Sequence, residues 1–185
     1  MSELPVDRYY SFENWCSLPN ELRTELYDGK VSLMSMPSPA HQMLSLRLTL
    51  QVGSMLAGKS CQFFHAPIGV KLFSDRDIVV SPDALIICDK SKIGEKVIQG
   101  APDLAVEILS TVSANYDNTE KLYLYLKAGV HEYWIISLES KMVLAYTLKN
   151  NEYVLRIYSL NAGDVEIRSG VLPELIVNLQ DLFGG

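Results

Sequence analysis

Asp103-Leu104-Ala105-Val106-Glu107-Ile108-Leu109 alternates residue by residue, with Leu104, Val106 and Ile108 on one side and Asp103, Ala105 and Glu107 on the other. That period of two is the signature of a β-strand. Downstream, Asn118 to Ala128 reads as a helix, with Leu122, Tyr125 and Leu126 apolar and Gly129 as its stop. Val130-His131-Glu132-Tyr133-Trp134-Ile135-Ile136 then returns as a second strand. Strand, helix and strand in this order, with so short a connection, predict a parallel pair joined by a helical crossover.

Working outward, Ile78 to Cys88 is nearly continuous apolar sequence broken by Ser81-Pro82-Asp83. Pro82 cannot donate to a sheet ladder, so the strand is expected to be at an edge or bulged there. Gln62 to Phe73 reads as another extended segment. Before it, the spacing of Met43, Leu44, Leu48, Val52, Met55 and Leu56 predicts a helix over 40–57 with one buried stripe. Asp28-Gly29 between alternating residues predicts a hairpin over 25–34, and Ser11 is placed to cap a short helix. Past the crossover, two strands between Met142 and Leu160 flank a turn at Lys149-Asn150-Asn151-Glu152, and Leu175-Ile176-Val177 closes the apolar pattern. The expected fold is α/β: a mixed central sheet flanked by helices, with an antiparallel C-terminal extension.

The composition is that of an ordinary globular chain: 185 residues, 48% hydrophobic and 21% charged. We expect one domain over 1–185, with a core over about 25–137, an N-terminal helical arm over 1–24 and a C-terminal β extension over 141–185. No run approaches the roughly 18 apolar residues of a membrane span, and no basic start followed by an apolar block marks a signal peptide. A cytoplasmic protein with no membrane association is therefore expected. Cys16, Cys61 and Cys88 are scattered and odd in number. They predict packed thiols rather than a zinc site or disulfide framework. The net charge of −6 weighs against an extended basic nucleic-acid surface. A carboxylate site awaiting a divalent cation is nevertheless locally acidic.

Asp83, after a proline in one strand, and Glu107, on another, are the carboxylates that neighbouring strands could bring to one hard cation. Lys121, on the following helix, could reach back toward them. Taken singly, these are an edge aspartate, a solvated strand glutamate and a surface lysine.

Order and spacing together add a further meaning. Glu25-Leu-Tyr-Asp-Gly29, Pro37-Ser-Pro-Ala-His41, Ser81-Pro-Asp83, Ala101-Pro-Asp-Leu-Ala-Val-Glu-Ile-Leu-Ser110, Asp117 with Lys121, and Gly129-Val-His-Glu-Tyr-Trp-Ile-Ile136 follow one another along the chain. In this order they resemble the Uma2 (DUF820) family of the PD-(D/E)XK nuclease superfamily. The resemblance implies a restriction-endonuclease-like core and metal-dependent hydrolysis of DNA phosphodiesters. It implies that Asp83 and Glu107 hold Mg²⁺ or Mn²⁺ with the Ile108 carbonyl, and that Lys121 is the catalytic lysine. The superfamily's usual lysine position is here Leu109, so the resemblance places that function on the next helix. Other departures are Ser137, where an aspartate is common, and Thr111-Val112-Ser113 after Ser110. Glu25 and His41 match as accessory residues, for the metal shell and for phosphate contact or proton transfer, and Asp117 as a partner holding Lys121. DNA is the implied partner and a homodimer the expected assembly. A nuclease fold that no longer cuts and serves as a binding or assembly module is the alternative, and an RNA substrate would use the same residues.

Overall fold

The structure, a computed structural model, describes residues 8–19, 22–109 and 117–184, with side chains in the last stretch from residue 119 onward. In chain order, α1 (Phe12–Cys16) precedes the hairpin β1 (Thr24–Tyr27) and β2 (Lys30–Leu33), and α2 (Pro39–Leu56) follows. Four strands come next: β3 (Gln62–His65), β4 (Gly69–Lys71), β5 (Ile78–Val80) and β6 (Ala84–Ile87). Then come β7 (Val97–Gln99), β8 (Leu104–Leu109), α3 (Asp117–Ala128) and β9 (Glu132–Ser137). The chain closes with β10 (Met142–Lys149), β11 (Glu152–Ser159), β12 (Glu166–Arg168), β13 (Ile176–Asn178) and α4 (Leu179–Phe183).

The predicted crossover is present: β8 and β9 are parallel neighbours, with Glu107 opposite Ile135. They lie inside a mixed sheet of order β11-β10-β9-β8-β6-β3, and a second mixed sheet has the order β2-β1-β5-β4-β7. The pair β12-β13 forms an antiparallel C-terminal hairpin. The alternation of β8 sets its packing. Leu104, Val106 and Ile108 join Leu44, Leu48, Val52 and Leu56 of α2 and the C-terminal Leu175, Val177, Leu179 and Leu182 in one core. On the opposite face, Ala105 joins Leu124 and Tyr125 of α3 with Val70, Ile78, Val80 and Ile98 of the second sheet. The α/β architecture with helices flanking mixed sheets thus follows from two-sided burial of the central strands.

Several expectations are corrected. Ile78 to Cys88 is neither an edge strand nor a bulged one. Its halves β5 and β6 lie inside different sheets, and Ser81-Pro82-Asp83 is the crossing between them. A proline fits such a crossing because neither ladder requires its missing N–H. Gln62 to Phe73 divides in the same way at Ala66-Pro67, whose peptide is cis. On α2 the buried residues step by four through Leu44, Leu48, Val52 and Leu56, while Met43 is 49% exposed. Met43 sits roughly 100° around the helix from Leu44, off the stripe.

Cys61 and Cys88 form a disulfide, contrary to the thiols expected. The antiparallel register explains it: Gln62 pairs with Ile87, so the next residues outward face each other across β3 and β6. Cys16 is the free cysteine among the described residues. With Cys61 and Cys88 bridged, the cysteines no longer point to a reducing compartment. No helix among the described residues is long and apolar enough to cross a membrane.

Candidate active site

The hairpin, the crossing between the sheets, β8 and α3 meet at one point. Asp28 and Gly29, at φ +42° and +86°, turn the β1-β2 hairpin so that β1 pairs with β5 and carries Glu25 inward. Glu25 Oε1 accepts from the Ser81 backbone N–H at 2.8 Å, and its Oε2 from the Tyr27 hydroxyl at 2.8 Å. Asp83 comes two residues after Ser81, just before β6. Since Ala84 pairs with Val106, one further step in that register places Asp83 opposite Glu107. Asp83 Oδ2 accepts from the Ile108 backbone N–H at 2.8 Å and lies 3.2 Å from His41 Nε2.

Lys121 reaches in from α3. Its Nζ is 2.9 Å from Glu25 Oε1 and 3.0 Å from Glu107 Oε1, and Tyr125 OH donates to the same Glu107 oxygen at 3.0 Å. Lys121 and Tyr125 are four apart and so share a helix face. Glu25, Asp83, Glu107 and Lys121 are each only 6–8% exposed. A cleft of about 600 Å³ opens onto them, lined also by His41, Ile108, Tyr27 and Lys30.

Charges this close and this buried perturb one another. Burial, reinforced by Asp83 and Glu25 and opposed by Lys121, pushes the Glu107 carboxyl up to about 7. Burial alone would lower the Lys121 ammonium. The attraction of Glu107 and Glu25 and the hydrogen bonds to both outweigh it, so Lys121 is raised and stays charged. The bond to Asp83 raises His41 against the opposing effect of its burial. Burial also raises Tyr125, and the Glu107 charge adds to that, which keeps the phenol a donor.

The structure therefore brings together Asp83, Glu107, Lys121, Glu25 and His41. Asp117 is the first residue of α3, but its side chain, like Thr111-Val112-Ser113, lies outside the described residues. In the sequence Tyr125 reads as one of the apolar residues of its helix, yet its four-residue spacing from Lys121 is the signal that it shares the site. Arg23, which lines the same cleft, carried no signal in the sequence. Tyr133 and Trp134 are both buried in the cores, and the Trp134 indole donates to Glu132 at 2.8 Å.

The donor set can be set against the needs of a cation. Among the described residues no group of three or more histidine, cysteine, aspartate and glutamate side chains could hold a metal ion. Asp83 and Glu107 supply hard carboxylate oxygens at a cleft, which suits Mg²⁺, an ion commonly bound by one or two carboxylates and several waters.

The Uma2 family model, described as "Putative restriction endonuclease", matches residues 9–180. An uncharacterized protein from Synechocystis sp. (strain ATCC 27184 / PCC 6803 / Kazusa) is 26% identical over 147 residues, 78% of this chain and 76% of that one. A crystal structure described as a "putative nuclease belonging to DUF820", from Anabaena variabilis ATCC 29413, superposes with a TM-score of 0.73 at 19% identity. The match covers 94% of this chain and 97% of that one. At that identity the likeness shows a shared fold.

Proposed function

We propose a function from one premise: this chain belongs to the Uma2 family. Our reading is a PD-(D/E)XK-type endonuclease that hydrolyses DNA phosphodiester bonds with a divalent cation. One observation carries it: a buried lysine bridges two glutamates beside an aspartate at the floor of an open cleft. Keeping four charged groups below a tenth of their exposure is expensive for a purely structural purpose, because buried ion pairs rarely repay their desolvation. Clusters of perturbed groups in clefts are characteristic of functional sites.

In this reading Asp83, Glu107 and the Ile108 carbonyl would hold one Mg²⁺ or Mn²⁺, which would supply Lewis acidity toward the scissile phosphate and a water. Lys121 orients that water and offsets the charge that builds on the phosphate oxygens in the transition state. Glu25 fixes the ammonium of Lys121 and is itself held by Ser81 and Tyr27. His41 is hydrogen-bonded to Asp83 at the cleft and can take or return a proton there.

A second reading, a nuclease fold retained as a binding or assembly module, is favoured by a different observation. The described residues lack a three-ligand metal group, and Lys121 already occupies one Glu107 oxygen. Calorimetric titration with Mn²⁺ separates the two. The nuclease reading expects saturable binding of one ion, lost in Asp83→Asn and weakening below pH 7 as Glu107 takes up its proton. A flat titration at millimolar Mn²⁺ would leave only the second reading.

A further inference from the structure

Arg23 immediately precedes β1 and lines three clefts at once. One is the cleft over the carboxylates. A second, of about 410 Å³, shares Arg23, Met36, Pro37, His41 and Asp83 with it, so the two are continuous past Asp83. The third, of about 440 Å³, also borders Arg23.

Among the described residues the guanidinium meets no counter-charge. Its Nε is buried without an acceptor, and Arg23 makes no ion pair or side-chain hydrogen bond among the described residues. Of the other cations lining these clefts, Lys121 is engaged by Glu25 and Glu107 and Lys96 by the Cys16 carbonyl, while Lys30 is exposed to solvent. The charge of Arg23 is felt at the site, where it opposes protonation of His41. A partly buried guanidinium left without an acceptor is costly, and its planar donors match the oxygens of a phosphodiester.

We infer that Arg23 is a substrate-binding residue that clamps a non-scissile phosphate of a DNA strand lying along the two continuous clefts. The inference rests on the nuclease reading and extends it. The scissile phosphate sits over Asp83, Glu107 and Lys121, and a neighbouring phosphate of the same strand meets Arg23. Such a clamp needs no basic stripe, which accommodates the net charge of −6. Its role is to hold the strand in register, without contact with the reacting atoms.

Fluorescence anisotropy with labelled single- and double-stranded DNA tests it in an Asp83→Asn background, where cleavage does not interfere. Adding Arg23→Ala is expected to weaken binding about tenfold and to reduce the slope of log K against log salt by about one phosphate contact. Arg23→Lys, which keeps the charge and loses the fork, should restore the slope with only part of the affinity. That restoration separates a lost contact from a misfolded variant. If Asp83→Asn binds DNA and Arg23→Ala changes neither affinity nor slope, the clamp is wrong while the nuclease reading stands. If Asp83→Asn binds neither form of DNA, both are overturned.

Discussion

Lys121 holds a position that a surface residue would not tolerate. It is one cation among Glu25, Glu107 and Asp83, with two of the three carboxylates within 3.0 Å of its nitrogen. Replacing it with methionine leaves those carboxylates uncompensated in a buried place and is expected to cost roughly 3–5 kcal/mol of stability at pH 8. The loss should shrink on acidification, and the wild type should follow the same direction. Glu107 titrates near 4.5 when unfolded and near 7 when folded, so stability falls as pH rises from 4.5 through 7 and is level above. His41 is raised above 6.5, so its contribution is full below 6.5 and is lost as pH rises through its folded value. Both groups make the protein without metal more stable at pH 5.5 than at pH 8. Urea melts of wild type and Lys121→Met at the two pH values check the sign, and a larger methionine penalty at pH 5.5 would contradict it. Lys121 could not be placed from its own sequence neighbourhood. A helix lysine between Glu120 and Leu122 looks like any solvated charge, and only the resemblance set it apart. Asp83 and Glu107 offered a partial cue, because a carboxylate beside or within an apolar strand is costly to bury unpaired, yet each taken singly still reads as an edge or solvated residue.

At the scale of elements, the crossover β8-α3-β9 was the most readable part of the chain. Its alternation, helical spacing and Gly129 stop are local signals, and they agree with the packing on both faces. What could not be read was the division into two sheets. Segment 78–88 is apolar almost throughout because nearly all of its residues are buried, and in the half-buried 62–73 the exposed Gln62 and His65 do not mark where the sheet changes. A strand that leaves one sheet for another therefore looks the same as one that continues. The disulfide was hidden for the same reason, since pairing Cys61 with Cys88 requires the β3-β6 register. The bridge closes a loop with a sequence separation of 27, so its removal should destabilise the fold by roughly 3 kcal/mol. Thiol titration of the unreduced, unfolded protein should find Cys16 alone reactive. Three reactive cysteines would show that the bridge does not form.

For the molecule as a whole, the two sheets converge on the site. The sheet that holds β8 contributes Glu107, the second sheet Glu25, and the crossing between them Asp83, while the helices on either side bring His41 and Lys121. A further buried carboxylate, Glu132, has a different use. It accepts from Trp134, Ser169 and the Gly170 backbone, tying the C-terminal segment to β9. That contrast separates a glutamate whose hydrogen bonds stay within the fold from the group that opens on the cleft. Cleavage of DNA by that group with a metal ion is the decisive property. Conversion of supercoiled plasmid to nicked and linear forms in Mg²⁺ or Mn²⁺ measures this directly. The wild type should cleave only when the ion is present, and an Asp83→Asn, Lys121→Ala double variant should lose more than about 100-fold in rate. Equal cleavage by the two proteins, or none by the wild type in either ion, would contradict it.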